Sequence, residues 1–313
     1  MPFTAKSGKF NAKINTVEVG TGDKAMKLGG ENVLPFYTFD DAIENAPKVG
    51  IEITDGGLEN EPECVRKFYE GCVTVADMAK KAVTFEGVDF LSIRLEGGDP
   101  NGKNKSTEEL IQVVKEVADA VDVPLVVCGC KNVEKDAQLL DKAAAALDGR
   151  NAMFLAAKEE NYKTVGASAG LAYKQIVGAE SAVDINLAKQ LNVLLTQLGV
   201  DSKMIVMNAG TAAVGYGFDY VVSTLDRVKA AALSQGDATL QMPIVTPVAS
   251  ETWVVKESTA SEADMPEWGD VEERGIDMEV ETAAAVLAAG SDAVILKHPE
   301  SVRTVKAMIN ALI

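Results

Sequence analysis

The chain has 313 residues, 47% hydrophobic and 25% charged, with a formal net charge of −17. That balance excludes a nucleic-acid binder, because no basic surface is on offer to neutralise phosphates, and it disfavours an anionic membrane surface. No apolar run approaches the roughly 18 residues needed to cross a bilayer, so no membrane partner is expected.

Met1-Pro-Phe-Thr-Ala-Lys-Ser-Gly-Lys9 lacks an apolar signal core, which points to the cytoplasm. Four cysteines do not make a disulfide framework, and a reducing compartment keeps them as thiols.

Residues 1–48 read as an N-terminal arm. Lys13-Ile-Asn-Thr-Val-Glu-Val-Gly20 alternates as a strand, Gly20 to Asp23 turns, and Lys24 to Gly29 returns as a hairpin partner. A lone hairpin is marginal, so the arm must lie on this protein's body or on another's.

From residue 49 a strand–loop–helix unit repeats to the end of the chain, residue 313. Strands are expected at Val49–Thr54, Val88–Leu95, Leu125–Cys128, Ala152–Ala156, Ser181–Val183, Lys203–Met207, Pro243–Thr246 and Asp292–Leu296. Helices are expected over Cys64–Val83, Thr107–Val121, Val133–Leu147, Tyr162–Val177, Leu187–Leu198, Phe218–Leu233, Met278–Ala289 and Glu300–Ile313. Residues 249–275, which hold Trp253 and Trp268, break the pattern as an insertion.

Short apolar strands alternating with helices mean parallel pairing buried on both faces. Eight such units predict an α/β fold, a TIM (β/α)8 barrel carrying the N-terminal hairpin arm. A doubly wound sheet is the alternative; no Gly-x-Gly-x-x-Gly follows the first strand to support a dinucleotide version.

The loops after the strands then build the functional face. They hold Asp55, Glu96, Asp99, Asn101, Asn132, Asp184, Asn186, Asn208, Thr211, Thr246 and His298. Asp184-x-Asn186 reads either as a helix N-cap or as an acceptor and a mixed donor for an amide-rich or heterocyclic ligand. Gly210-Thr-Ala-Ala-Val-Gly-Tyr-Gly217 either lets a flat ligand approach the backbone or serves unusual dihedrals. Gly98 resists a β-branched residue if its dihedral is positive. Glu96 and Asp99 are the acid/base candidates.

Cys128-Gly-Cys130, Cys64 and Cys72 include no Cys-x-x-Cys, so ordinary thiols are favoured over a cluster or zinc site. His298 is the only histidine, which leaves no partnered nucleophile and no Asp-x-His-x-x-Gly run. Lys297-His298-Pro299 is expected to turn into the last helix.

Several motifs occur in a fixed order: Arg94-Leu-Glu-Gly-Gly-Asp-Pro-Asn-Gly, Val126-Val-Cys-Gly-Cys-Lys-Asn-Val-Glu-Lys-Asp136, Glu160-Asn-Tyr-Lys163, Asp184-Ile-Asn-Leu-Ala-Lys-Gln-Leu-Asn192, Gly215-Tyr-Gly217 and His298-Pro-Glu300. As a set they resemble the small (delta) subunit of the corrinoid/iron–sulfur protein of the acetyl-CoA synthase pathway. The resemblance implies a barrel paired with a large subunit that carries the iron–sulfur cluster and the main corrinoid domain. It implies a corrinoid shared with that subunit, no iron–sulfur cluster on this chain, and transient partnership with a pterin-dependent methyltransferase and acetyl-CoA synthase. Such barrels are also similar to pterin-binding methyltransferases.

Two functions are therefore carried forward. In a non-catalytic cover for the corrinoid, Asn101, Asn132, Asn186, Asn208 and Thr211 are the expected contacts. In a methyltransferase acting on methyltetrahydrofolate, Asp99, Asp184, Asn186 and Asn208 would hold the pterin.

Overall fold

The computed structural model describes Lys6 and residues 8–313. Ten strands are labelled in chain order among them. β1 (Val17–Val19) and β2 (Met26–Leu28) form the hairpin. The larger sheet holds β3 (Lys48–Thr54), β4 (Phe90–Arg94), β5 (Leu125–Cys128), β6 (Met153–Ala157), β7 (Ile176–Glu180), β8 (Ile205–Asn208), β9 (Val245–Thr246) and β10 (Ala293–Leu296). The main helices are α1 (Val75–Ala82), α2 (Thr107–Ala120), α3 (Val133–Ala146), α4 (Tyr162–Val165), α5 (Ile185–Leu198), α6 (Phe218–Ser234), α7 (Val271–Ala289) and α8 (Pro299–Leu312).

The sheet has eight strands in the order β8-β7-β6-β5-β4-β3-β10-β9, and every named pair is parallel. Its two ends meet through a parallel bridge, Met207 to Ile244, where Met207 N–H donates to Pro243 O at 2.8 Å. The expected TIM (β/α)8 barrel is thus observed, with a thin closing seam at β9.

Strand parity decides what lies inside. Ile51, Ile53, Leu91, Ile93 and Val127 point outward and join the helices in one core cluster. Phe90, Val126, Met153, Ile176, Val206, Val245 and Ile295 point inward and form a second. Val17, Val19, Met26 and Leu28 of the hairpin belong to that inner cluster. The arm therefore lies on this chain's own body and buries its apolar face against the barrel interior. Its alternation of buried and exposed residues is the period of a half-buried hairpin. Gly50 leaves space for the Phe90 ring, since a Cβ there would lie 2.2 Å from it.

The helices form where caps and apolar stripes agree. Ser106 and Glu109 make a reciprocal capping box, and α2 buries Leu110, Val114, Val117 and Ala118 on one face. Each such aliphatic contributes roughly 1.5–3 kcal/mol by leaving water.

Four expectations need correction. The fifth barrel strand is Ile176–Glu180, and Ser181–Val183 is the loop beyond it. The preceding helix is only Tyr162–Val165 followed by a π-helical Gly166–Ala172. Glycine at 166 and 170 brings that backbone against Leu195, Leu198 and Val200, so small residues there signal close packing and not helix length. The helix expected over Cys64–Val83 is broken at Gly71 (φ +85°), after which Thr74 opens α1 with its own capping box. The helix expected at Met278 begins at Val271, capped by Asp270.

Candidate functional site at the barrel mouth

The upper inward positions of the strands are polar. Glu52, Arg94 and Glu180 lie at the same parity as the apolar residues below them, and Lys297 follows β10. Placing charge inside a barrel is costly unless it is paired, and here it is. Arg94 Nε donates to Glu52 Oε2 at 3.0 Å and Nη2 lies 2.9 Å from the same oxygen. Lys297 Nζ donates to Glu61 Oε2 at 2.7 Å, and Lys158 Nζ lies 3.0 Å from Glu180 Oε1.

Two cavities open over this layer. One of about 730 Å³ is bounded by Glu52, Glu61, Arg94, Trp253, Ser258 and Lys297. The other, of about 270 Å³, is bounded by Arg94, Cys128, Lys158, Glu180, Asn208 and Thr211. They share Arg94, Lys131 and Ser250. Lys131 Nζ donates to Glu251 Oε1 at 2.9 Å and so ties the loop after β5 to the inserted segment.

The charged groups answer to burial and to each other. Burial opposes the charge on Glu52, but Arg94 and then Lys297 outweigh it and hold the carboxyl below its ordinary value. Burial raises Glu61, with Lys297 working against that rise. Burial likewise opposes the charge on Lys297, yet Glu61 and Glu52 leave its ammonium above the ordinary value. Burial pushes the Cys64 and Cys128 thiols up to about 11 and Cys130 up to about 12, so all three are protonated at neutral pH.

The inserted segment is packed onto the barrel by Trp253. Its ring stacks on His298 at 5.9 Å between centroids and 16° between planes. Gly275 of α7 makes room for it, because a Cβ there would lie 2.4 Å from the indole. His298 is fully buried and caps α8, with Nδ1 accepting from Glu300 N–H at 3.2 Å and Pro299 in the first turn, as expected. That bond assigns the neutral ring's proton to Nε2, which faces Glu272 Oε1 at 3.2 Å.

Glu279 of α7 is fully buried behind this wall and accepts from the backbone N–H of Lys297 at 2.6 Å and His298 at 3.1 Å. Burial raises its pKa from 4.5 to about 7, against the pull of those two donors. The folded state therefore keeps a proton that the unfolded chain loses across that window. The stability this group contributes is greatest below pH 4.5 and falls as pH rises to about 7, by on the order of 3 kcal/mol. Denaturant titrations at stepped pH should show Glu279→Gln losing that share of the slope; an unchanged slope would assign it elsewhere.

The expected contacts divide into two groups. Asp99 borders the larger cavity, and Asn208 and Thr211 border the smaller. Thr211 Oγ1 is buried without a hydrogen-bond partner among the described residues. Asn208 Oδ1 accepts from Gly210 N–H at 3.1 Å. Asp184 caps α5, accepting from Asn186 N–H at 2.7 Å and Leu187 N–H at 3.2 Å. Asn132 caps α3 by accepting from Lys135 N–H at 3.0 Å. Asn101 and Asn186 are exposed and border neither cavity. Asp55 is used within the lip, accepting from Gly97 N–H at 2.8 Å and Lys105 Nζ at 2.7 Å. Glu96 accepts from Asn60, and Thr246 Oγ1 lies 2.5 Å from Ser291 Oγ. Gly98 does not have a positive dihedral, and a Cβ there would meet the Leu139 and Leu110 methyl groups at 2.9 and 3.0 Å.

Sequence reasoning missed Glu52, Glu61, Lys158, Glu180 and Lys297. The available signal was polar residues at alternate positions of otherwise apolar strands, as in Gly50-x-Glu52 and Ser92-x-Arg94. Among the described residues, no group of three or more histidine, cysteine or acidic side chains is placed to hold a metal ion. No described helix is long and apolar enough to cross a membrane.

A family model described as the CO dehydrogenase/acetyl-CoA synthase delta subunit matches residues 16–306. The acetyl-CoA decarbonylase/synthase complex subunit delta of Methanothermobacter thermautotrophicus is 32% identical over 307 residues, covering 97% of this chain and 77% of that one. Subunit delta 2 of the same complex in Methanosarcina acetivorans is 32% identical over 299 residues, covering 94% and 67%. The Archaeoglobus fulgidus subunit delta is 33% identical over 303 residues, covering 94% and 65%, so these relatives are longer proteins. Among solved structures, 7,8-dihydropteroate synthase from Vibrio fischeri ES114 superposes with a TM-score of 0.57 at 11% identity, covering 94% of this chain and 97% of that one. Xanthomonas albilineans dihydropteroate synthase with 4-aminobenzoic acid gives 0.55 at 14% identity, covering 95% and 96%. At these identities the likeness speaks for the barrel fold alone.

Proposed function

The chain belongs to the CO dehydrogenase/acetyl-CoA synthase delta subunit family, and we propose that its barrel mouth covers the upper face of a corrinoid held chiefly by a larger partner subunit. Such a corrinoid would supply the cobalt chemistry of methyl carriage between a methyltetrahydrofolate-dependent methyltransferase and acetyl-CoA synthase, and Asp99, Asn208 and Thr211 would hold its rim. The rest of this role falls to the chain's own side chains.

The residues present fit such a group. Its rim is set with carboxamides, which need both donors and acceptors. The mouth offers a buried, unpartnered Thr211 hydroxyl beside Asn208, and charge already neutralised in pairs. Paired charge is what a cover requires. Within that layer Glu52, Glu61 and Glu180 each keep a cation, so the floor of the mouth excludes water without a stranded charge. The single observation that carries the reading is this layer of internally matched charge beneath two adjoining cavities at the mouth. Asp99, Asn208 and Thr211 are the contacts it retains. A methyltransferase acting alone would need a free carboxylate for the pterin's donor edge; Glu52, Glu61 and Glu180 each hold a cation, which leaves that task to Asp99 at the larger cavity.

Co-expression with the large subunit should yield a 1:1 complex that retains cobalt. The chain alone should neither bind methyltetrahydrofolate nor methylate free cobalamin. Tight pterin binding by the isolated chain, with methyl transfer, would replace this reading by the enzymatic one.

A further inference from the structure

Two polar side chains in the wall of the larger cavity are left half-used. Glu61 is 2% exposed and gives Oε2 to Lys297, while Oε1 is buried with no partner among the described residues. Ser258, in the inserted segment, is 3% exposed and its Oγ is buried with no partner among the described residues. Both border the 730 Å³ cavity, and Trp253 and Pro62 supply apolar wall between the polar groups. A buried acceptor and a buried hydroxyl without partners each carry a desolvation cost, and a ligand that supplies both bonds relieves it.

The charge of the wall selects the ligand. Six lining residues are acidic (Glu52, Glu59, Glu61, Glu63, Glu96 and Asp99), against four basic ones (Arg66, Arg94, Lys131 and Lys297). An anion would meet net repulsion there. A neutral group with one donor and one acceptor would not.

We propose that Glu61 and Ser258 form a subsite for a primary carboxamide at the edge of the bound ligand. The amide N–H donates to Glu61 Oε1, and the amide oxygen accepts from the Ser258 hydroxyl. The subsite rests on the corrinoid reading, whose ligand carries such carboxamides around its rim. It lies in the larger cavity, whereas Asn208 and Thr211 border the smaller, so the two sets hold different parts of one edge.

The test uses the complete complex with the large subunit and measures corrinoid release optically. Ser258→Ala should speed release of cobalamin about fivefold, the worth of one net hydrogen bond. A cobalamin with its rim amides partly hydrolysed to carboxylates should leave the unaltered complex about tenfold faster, because Glu61 now faces an anion, and Ser258→Ala should speed its release further, since a carboxylate oxygen accepts from the hydroxyl as the amide oxygen does. Glu61→Gln should narrow the difference between the two corrinoids; it strips Lys297 of its partner, so Ser258→Ala is the decisive variant. Equal release of cobalamin from the complexes with and without Ser258→Ala overturns the subsite and leaves the cover role standing. A complex that carries no corrinoid at all overturns both.

Discussion

Replacing Arg94 by leucine should lower the unfolding free energy at neutral pH by about 3–5 kcal/mol, the range for removing one member of a buried ion pair. The expected loss comes from what the substitution leaves behind. Glu52 is 2% exposed and, among the described residues, has no other cation at hydrogen-bond distance, so its carboxylate becomes an uncompensated charge inside the barrel. The sign of the pH dependence tests the cause. In the unaltered protein Arg94 holds Glu52 below its ordinary value despite burial. The pair's contribution is therefore present above the unfolded carboxyl value and is lost as pH falls through the folded one. In the variant Glu52 is raised, and protonation relieves it. The difference between the two proteins, read by urea unfolding, should thus be large at pH 8 and shrink toward pH 4. An equal difference at both would mean that lost packing, and not stranded charge, is the source. Arg94 also borders both cavities, so the same variant should weaken corrinoid retention in the complex.

The barrel was legible in the sequence because parallel strands buried on both faces leave short, continuous apolar runs, and seven of the eight announced themselves that way. The exception, Ile176-Val-Gly-Ala-Glu180, is instructive. Gly178 sits where a Cβ would lie 2.2 Å from Leu155, so close approach of β6 demands a residue that weakens the strand signal. The site was less legible for a related reason. Loop residues such as Asp184 and Asn132 look like ligand contacts because they are polar and follow strands, yet their oxygens close the first turns of helices. The mouth's charged layer comes instead from within strands and from Glu61 and Lys297, whose pairing across 236 positions no local pattern encodes. The cavity's far wall is built by the insertion, through Trp253 over His298 and Gly275, which periodicity could only mark as a break.

The second large effect lies at the opposite end of the barrel. Lys229 of α6 is 2% exposed, with Nζ 2.5 Å from Glu31 Oε1 and 3.1 Å from Asp292 Oδ2. Glu31 belongs to the arm, and Asp292 precedes β10 and also accepts from Ile244 N–H at 2.7 Å. One ammonium thus joins the arm, a helix and the barrel seam. Gly290 (φ +136°) clears its path, since a Cβ there would lie 2.6 Å from the lysine stem. Burial, and then the charge of Glu31, raise Asp292 to about 7, while Lys229 opposes both. The folded protein accordingly holds a proton on Asp292 that the unfolded chain sheds, and stability from this group falls as pH rises from 3.8 to about 7. Lys229→Met removes the only opposing charge within hydrogen-bond reach among the described residues and leaves two buried carboxyls facing each other. Unfolding free energy should drop by about 3–5 kcal/mol at pH 8 and recover in large part by pH 5, where the carboxyls reprotonate. Limited proteolysis should cut the arm between Glu31 and Asn45 far faster in the variant at pH 8 and at the unaltered rate at pH 5. If the arm stays protected at pH 8, the hairpin's apolar contacts with the barrel interior hold it alone, and the triad has no part in fixing it.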